Sequence, residues 1–180
     1  MNVSNWGPGG WVFLHTITFN YPLKPTIEDK KRYTKFFNNI GEMLPCRYCR
    51  DSFKIYSKYL PIKNFLDDRE GITYWLYQIH NLVNDKVFKN DSTTFGEIVR
   101  KYERYRAGCK KVKKKRTEVY GTCGVPKNTH LNNTEITRFV KKAENKYREN
   151  IKTCVNNLME CKKNPNKIPH KIRMEKYKNI

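Results

Sequence analysis

The chain has 180 residues, 38% hydrophobic and 13% aromatic, enough for one core of its own without metal staples. No run of about 18 apolar residues occurs, so no helical membrane span is expected. The formal charge of +20 is uneven: residues 1–109 carry 17 Lys and Arg against 11 Asp and Glu, and residues 110–180 carry 20 against 6. The second part also has a single Phe and no Trp. The composition therefore changes at KKVKKKR, Lys110 to Arg116, and separates a domain over 1–109 from a lysine-rich extension over 110–180. Such an extension suits an anionic partner (nucleic acid, a membrane surface or an acidic protein), or it is a solvated tail. The opening MNVSNWGPGGW has neither the basic start nor the apolar centre of a secretory leader, and a cytosolic protein is the expectation.

In chain order, GGWVFLHTITF places Trp11, Leu14, His15 and Thr18 at helical spacing, and Pro22 and Pro25 end the helix. Thr26 reads as an N-cap, with Glu28 and Asp29 in the first turn where the helix dipole favours acids. Ile27, Tyr33, Phe36, Phe37, Ile40 and Leu44 continue that helix with a period near 3.6. From Cys46 a shorter pattern, Cys49, Phe53, Ile55, Tyr56, Tyr59 and Leu60, runs to Pro61. Asp67 or Asp68 then caps a helix whose stripe is Ile72, Trp75, Leu76, Ile79, Val83 and Val87. Thr94 and Glu97 form a capping box for a last short helix bearing Ile98, Val99, Tyr102 and Tyr105.

No hairpin signal or sustained alternation is present, so the domain over 1–109 is predicted to be all-α: a four-helix bundle with a short fifth helix. Beyond the lysine run, Ile136, Phe139, Val140, Ala143, Tyr147, Ile151, Val155 and Leu158 line one long amphipathic helix. That stripe needs the core, another subunit or a different protein to cover it.

Six cysteines occur, and only Cys46 and Cys49 form a short motif. Zinc needs about four ligands, and no second Cys-x-x-Cys or His pair supplies them; Cys109 and Cys123 would have to complete the set across a basic loop. No metal is therefore expected. Two-residue spacing at a helix start fits a redox pair better. Helix amides, Arg47 and Arg50 would favour the thiolate that exchanges disulfides. In WLYQIHNLVN, the polar His80, Asn81 and Asn84 flank an apolar wall of Trp75, Ile79 and Val83. This suits either a planar ligand with a polar rim or a helix face turned to water.

WGPGGWVFLHTITFNYP, LPCRYC and WLYQIHNLVNDKV, in that order, resemble the Erv/ALR family of FAD-linked sulfhydryl oxidases. The opening WGP is most similar to the versions carried by large cytoplasmic DNA viruses. The resemblance covers about residues 5 to 109. It implies a FAD-binding helical bundle, usually a homodimer, located here in the cytoplasm of an infected host cell or in the virion.

By that resemblance Trp11 and His15 line the flavin site, with Trp6 and Gly7 near it. Trp75, His80, Asn81 and Asn84 contact the isoalloxazine and adenosine parts, and Lys86 and Lys89 pair with the pyrophosphate. A protein dithiol substrate or thioredoxin-like carrier reduces the Cys46–Cys49 disulfide at Cys46, and Cys49, next to the flavin, passes the electrons on to FAD and then oxygen, giving hydrogen peroxide. The structural clamp of many members is expected to be absent, because Ser92 and Thr93 stand where its earlier cysteine would fall. Cys123, Cys154 and Cys161 are candidates for a shuttle pair. The rival reading is a degenerate helical bundle serving as a basic nucleic-acid or protein binding module.

Overall fold

A computed structural model describes residues 1–105, 108–109, 123–124 and 131–162. The lysine run Lys110 to Arg116 lies outside them. The expected all-α architecture is what the chain adopts: α1 Val3–Phe19, α2 Ile27–Met43, α3 Arg47–Tyr59, α4 Arg69–Lys86, the short α5 Phe95–Glu103 and the long α6 Asn133–Lys162. Two features were not expected. Ile62–Phe65 forms a 3₁₀ turn, and Gly108–Cys109 (β1) pairs antiparallel with Cys123–Gly124 (β2), with Cys109 opposite Cys123 in the backbone register.

Local chemistry sets the boundaries. α1 begins upstream of GGW because Asn2 caps it, accepting the N–H of Ser4 at 3.1 Å. Pro8 lies inside this helix and has no N–H to give the carbonyl of Ser4, but Ser4 is exposed and water can serve it. Thr26 with Asp29 and Thr94 with Glu97 make reciprocal capping boxes on α2 and α5. Of the two candidate caps for α4, Asp68 is the one used, accepting the N–H of Gly71 at 2.8 Å. α4 closes with the N–H of Lys89 on the carbonyl of Asn84 at 2.9 Å and that of Phe88 on Asp85 at 3.3 Å. This six-to-one closure puts Phe88 in the left-handed region, φ 56°, where glycine is the usual occupant.

α4 is the axis of the molecule. Ile72, Trp75, Leu76 and Ile79 are fully buried, and α1, α3, α5 and α6 all pack against it. Trp75 is held edge-on by Phe37 and Phe53 and donates its indole N–H to the carbonyl of Leu60 at 2.9 Å. The stripe of α6 covers α4 and α5: Ile136, Phe139, Ala143, Tyr147, Ile151 and Leu158 are buried in the common core. The partner of that helix is thus the chain's own core. Cys154 is buried with it and packs as a small apolar side chain, and burial pushes its thiol up to about 12.

Candidate functional site

The Cys46–Cys49 pair occupies the start of α3. Cys46 is the N-cap in extended backbone, and its carbonyl accepts the N–H groups of Cys49 at 3.0 Å and Arg50 at 3.1 Å. Both thiols are half-buried and unbridged. The hydrogen bond from the Cys49 thiol pulls the pKa of Cys46 down, against some burial, helped by the amides of Cys49 and Tyr48 and by the Lys86 charge. Burial, then the bond to Cys46 and its charge, push Cys49 up to about 11, with Lys86 and Arg50 acting the other way.

Of the groups expected to favour the thiolate, the helix amides act on Cys46 and Arg50 acts on Cys49, where burial outweighs it. Arg50 also donates its guanidinium to the carbonyl of Leu44 and so pins the α2–α3 turn. Cys46 is thus the more acidic of the two thiols, and Cys49 is the one that burial acts on more.

A second cluster joins α1, α4 and α5. The indole of Trp11 lies flat on the His80 imidazole, with centroids 3.8 Å apart and 8° between planes. His15, one turn beyond Trp11, places Nε2 at 3.2 Å from His80 Nδ1 and stacks on Tyr102 of α5 at 4.9 Å. Burial is the main force lowering His15 to about 3, with the His80 and Lys101 charges adding to it. Burial likewise lowers His80 to about 4, with Lys89 and Lys101 contributing and Asp91 opposing. Both rings are therefore neutral at pH 7 and act as hydrogen-bonding planes rather than cations.

His80 and Lys86 are six residues apart on α4, roughly 9 Å along its axis. The aromatic cluster and the cysteine turn thus both border the last two turns of that helix.

The other expected residues separate. Trp6 and Gly7 lie on the first turns of α1; Trp6 Nε1 is buried without a partner and Gly7 is buried. Asn81 shares a hydrogen bond with Tyr77, and Asn84 reaches Asp91 at 3.4 Å. Lys89 pairs with Asp91 at 3.3 Å. Lys86 points the other way, toward α3. Trp75 sits five residues before His80, roughly 140° around the helix, inside the core.

Tyr102 and Lys101 belong to the cluster but were not singled out from sequence. Tyr102 reads there as one more apolar-face residue, and only the crossing of α5 over α1 shows that it covers His15.

A flavin dinucleotide suits this set. His15 Nδ1 and Trp6 Nε1 are buried polar atoms with no partner in the protein. Such atoms cost roughly 1–3 kcal/mol when left unpaired, and a ring with a polar rim would satisfy them. The half-exposed Trp11 offers an aromatic face, while Lys89 and Lys101 place positive charge at the His80 end, as a diphosphate requires. Among the described residues no three His, Cys, Asp or Glu side chains converge as metal ligands.

The two histidines also predict acid sensitivity in the ligand-free protein. Each is a base whose folded pKa lies below its unfolded value of 6.5, so the unfolded chain takes up protons first as the pH falls. Stability is full above pH 6.5 and is lost on descent toward pH 4. His15 alone should cost on the order of 3 kcal/mol by about pH 4.5. Urea midpoints at pH 7 and pH 4.5 measure this. His15→Asn should flatten the slope, and an unchanged midpoint in the parent protein would contradict the burial argument.

The Erv1 / Alr family model matches residues 8–106. The chain is 41% identical over 85 residues to the probable FAD-linked sulfhydryl oxidase R368 of Acanthamoeba polyphaga mimivirus, covering 47% of this chain and 59% of that protein. It is 36% identical over 83 residues to the FAD-linked sulfhydryl oxidase ERV1 of Arabidopsis thaliana, covering 46% of this chain and 42% of that protein. It thus spans about half the length of these curated relatives. The crystal structure of the yeast Erv1 core superposes with a TM-score of 0.53 at 25% identity, over 57% of this chain and 84% of that one.

Proposed function

This chain belongs to the Erv1 / Alr family, and on that premise we propose that it is a FAD-dependent thiol oxidase forming disulfide bonds in protein substrates. The observation that carries this reading is the placement of two half-buried thiols at the start of α3, beside the helix whose last turns also hold the Trp11–His80–His15 cluster.

A reduced protein dithiol, or a thioredoxin-like carrier, attacks Cys46 of the oxidised pair. The Cys46–Cys49 bond breaks, a mixed disulfide forms on Cys46, and the electron pair stays on Cys49. The second substrate thiol then displaces Cys46, so the substrate loses two electrons and two protons to the pair. Bound flavin would take those electrons and pass them to oxygen, giving hydrogen peroxide. Trp11, His15, His80 and Tyr102 would hold its ring system, with Trp6 and Asn81 at the border and Lys89 and Lys101 near its phosphates. The neutral imidazoles would orient the ring and exclude water.

A second copy of the chain is the partner that the α1–α2 face supports. Phe13 stands 56% exposed there, edge-on to Phe36 and next to the exposed Val12. Arg138 and Lys141 line a shallow groove on the outer side of α6 with Asn133, Thr137 and Asn145. That groove favours an anionic partner on a face the oxidase reading leaves free. A location in infected-cell cytoplasm or virions is proposed from the resemblance of the opening WGP alone.

The purified protein is expected to be yellow, with flavin absorbance that survives gel filtration. A folded but colourless protein that gains neither absorbance nor stability from added FAD would defeat the proposal.

A further inference from the structure

We propose that Lys86 is a positioning residue for the cysteine pair: anchored on the first turn of α3, its ammonium supplies the counter-charge to the electron pair that leaves on Cys49 when the Cys46–Cys49 bond is broken. The inference rests on the oxidase reading and deepens it.

Lys86 is in the last turn of α4, where a lysine would ordinarily extend into water or back over its own carbonyls. Instead it crosses to the neighbouring helix. Its Nζ donates to the carbonyl of Tyr48 at 3.1 Å and to the hydroxyl of Ser52. Tyr48 is the residue immediately before Cys49. Ser52 is buried and donates in turn to the same Tyr48 carbonyl at 2.7 Å, so hydroxyl, carbonyl and ammonium close a three-membered network beneath the Cys-x-x-Cys turn.

The charged groups that act here are few. Arg50 and Lys86 favour the Cys49 thiolate, Lys86 also acts more weakly on Cys46, and Asp51 acts on Lys86, while Asp85, buried on α4, acts on Tyr56. Arg50 is committed to Leu44, which leaves Lys86 as the cation fixed across the helix pair.

The chemistry explains the need. Cys49 is the half-buried inner sulfur, and its environment disfavours charge. Yet when a substrate thiolate bonds to Cys46 Sγ, the old S–S bond breaks with both electrons remaining on Cys49 Sγ. A leaving thiol departs faster when its anion is stabilised. A cation held by two fixed acceptors supplies that stabilisation without having to reorganise during the step.

The test uses the full-length protein as purified and two readings. In the reduced protein, iodoacetamide alkylation of the peptide bearing Cys46 and Cys49 is followed by mass spectrometry from pH 5 to 9. In the oxidised protein, reduction of the disulfide by dithiothreitol is timed by acid quench without oxygen. Lys86→Met should move the alkylation profile to higher pH and slow reduction by roughly three- to tenfold. Lys86→Arg should restore most of both.

Superimposable profiles and rates for the parent and Lys86→Met would overturn the proposal. So would equal defects in Lys86→Met and Lys86→Arg, since that pattern marks packing and not charge. Should Lys86→Met not fold, Ser52→Ala carries the test: loosening the anchor should give a smaller shift of the same sign, and no shift would overturn it. Neither reading depends on flavin turnover, so a colourless protein would sink the oxidase reading while these measurements still decided the role of Lys86.

Discussion

Cys49→Ser is expected to abolish dithiol oxidation, by on the order of a thousandfold or more, while leaving the fold and any bound flavin in place. Serine is nearly isosteric and hydrogen-bonds readily, so a half-buried position at the first turn of α3 tolerates it. What it cannot do is form the second half of a disulfide. Cys46 is lowered first by the hydrogen bond from Cys49, which a serine hydroxyl can also donate, and then by the amides of Cys49 and Tyr48 and the Lys86 charge, so it stays reactive in this variant. Given an oxidised small-molecule disulfide, it should therefore accumulate as a stable mixed disulfide, visible as a mass increment on the Cys46 peptide.

Cys46→Ser should lose activity as well but trap much less adduct, because the remaining thiol is the inner one with pKa about 11. Oxygen consumption with dithiothreitol as substrate reads the first effect, and mass spectrometry reads the asymmetry. Equal trapping by the two variants would show that the inner and outer assignments are wrong.

That asymmetry was only half legible in the sequence. Cys-x-x-Cys after a proline, at the start of a helical pattern, announces a redox pair, and the second thiol, then the helix amides, explain the one lowered thiol. Which other groups share the site depends on how helices cross, and periodicity is silent on crossing. Lys86 reads as a phosphate-binding lysine because it follows His-Asn-x-Val-Asn, but α4 turns it onto the first turn of α3. Trp75 reads as a ligand contact because it opens the same motif, and its indole is spent on Leu60 inside the core.

The helices themselves were legible because their stops and caps are local: Thr26, Pro61, Thr94 and Glu97 each act within a turn. The start of α1 was missed because Gly7, Pro8 and Gly9 look like a breaker, and the capping strength of Asn2 lies outside that pattern. The long stripe from Ile136 to Leu158 was visible, but a stripe names no partner. Only the tertiary contacts show that it closes the molecule's own core.

That closure gives the second large prediction: Tyr147→Ala should destabilise the whole protein by about 3–5 kcal/mol. Tyr147 is 2% exposed, stacks on Phe65 with centroids 4.9 Å apart, and donates its hydroxyl to Asp68 at 3.1 Å. Asp68 is at the same time the N-cap of α4 and accepts Lys146 at 3.0 Å. Burial would push the Asp68 carboxyl up, but Lys146, the Gly71 amide and Lys142 outweigh it and hold it below the usual carboxylate range. Gly71 completes the joint: a Cβ there would run into the Tyr147 hydroxyl and the Phe65 carbonyl, so α6 approaches α4 over bare backbone.

Removing the ring leaves a cavity at that joint and strips one bond from the cap. Tyr147→Phe keeps the ring and should cost only about 1 kcal/mol, because Asp68 retains its amide and lysine partners. Urea unfolding measures both variants. Hydrogen exchange should show the amides of α6 losing protection first in Tyr147→Ala, ahead of α2 and α3. If instead Tyr147→Ala unfolded at the parent's midpoint with α6 protection unchanged, α6 would be an appendage and α4 would have to be stable without it.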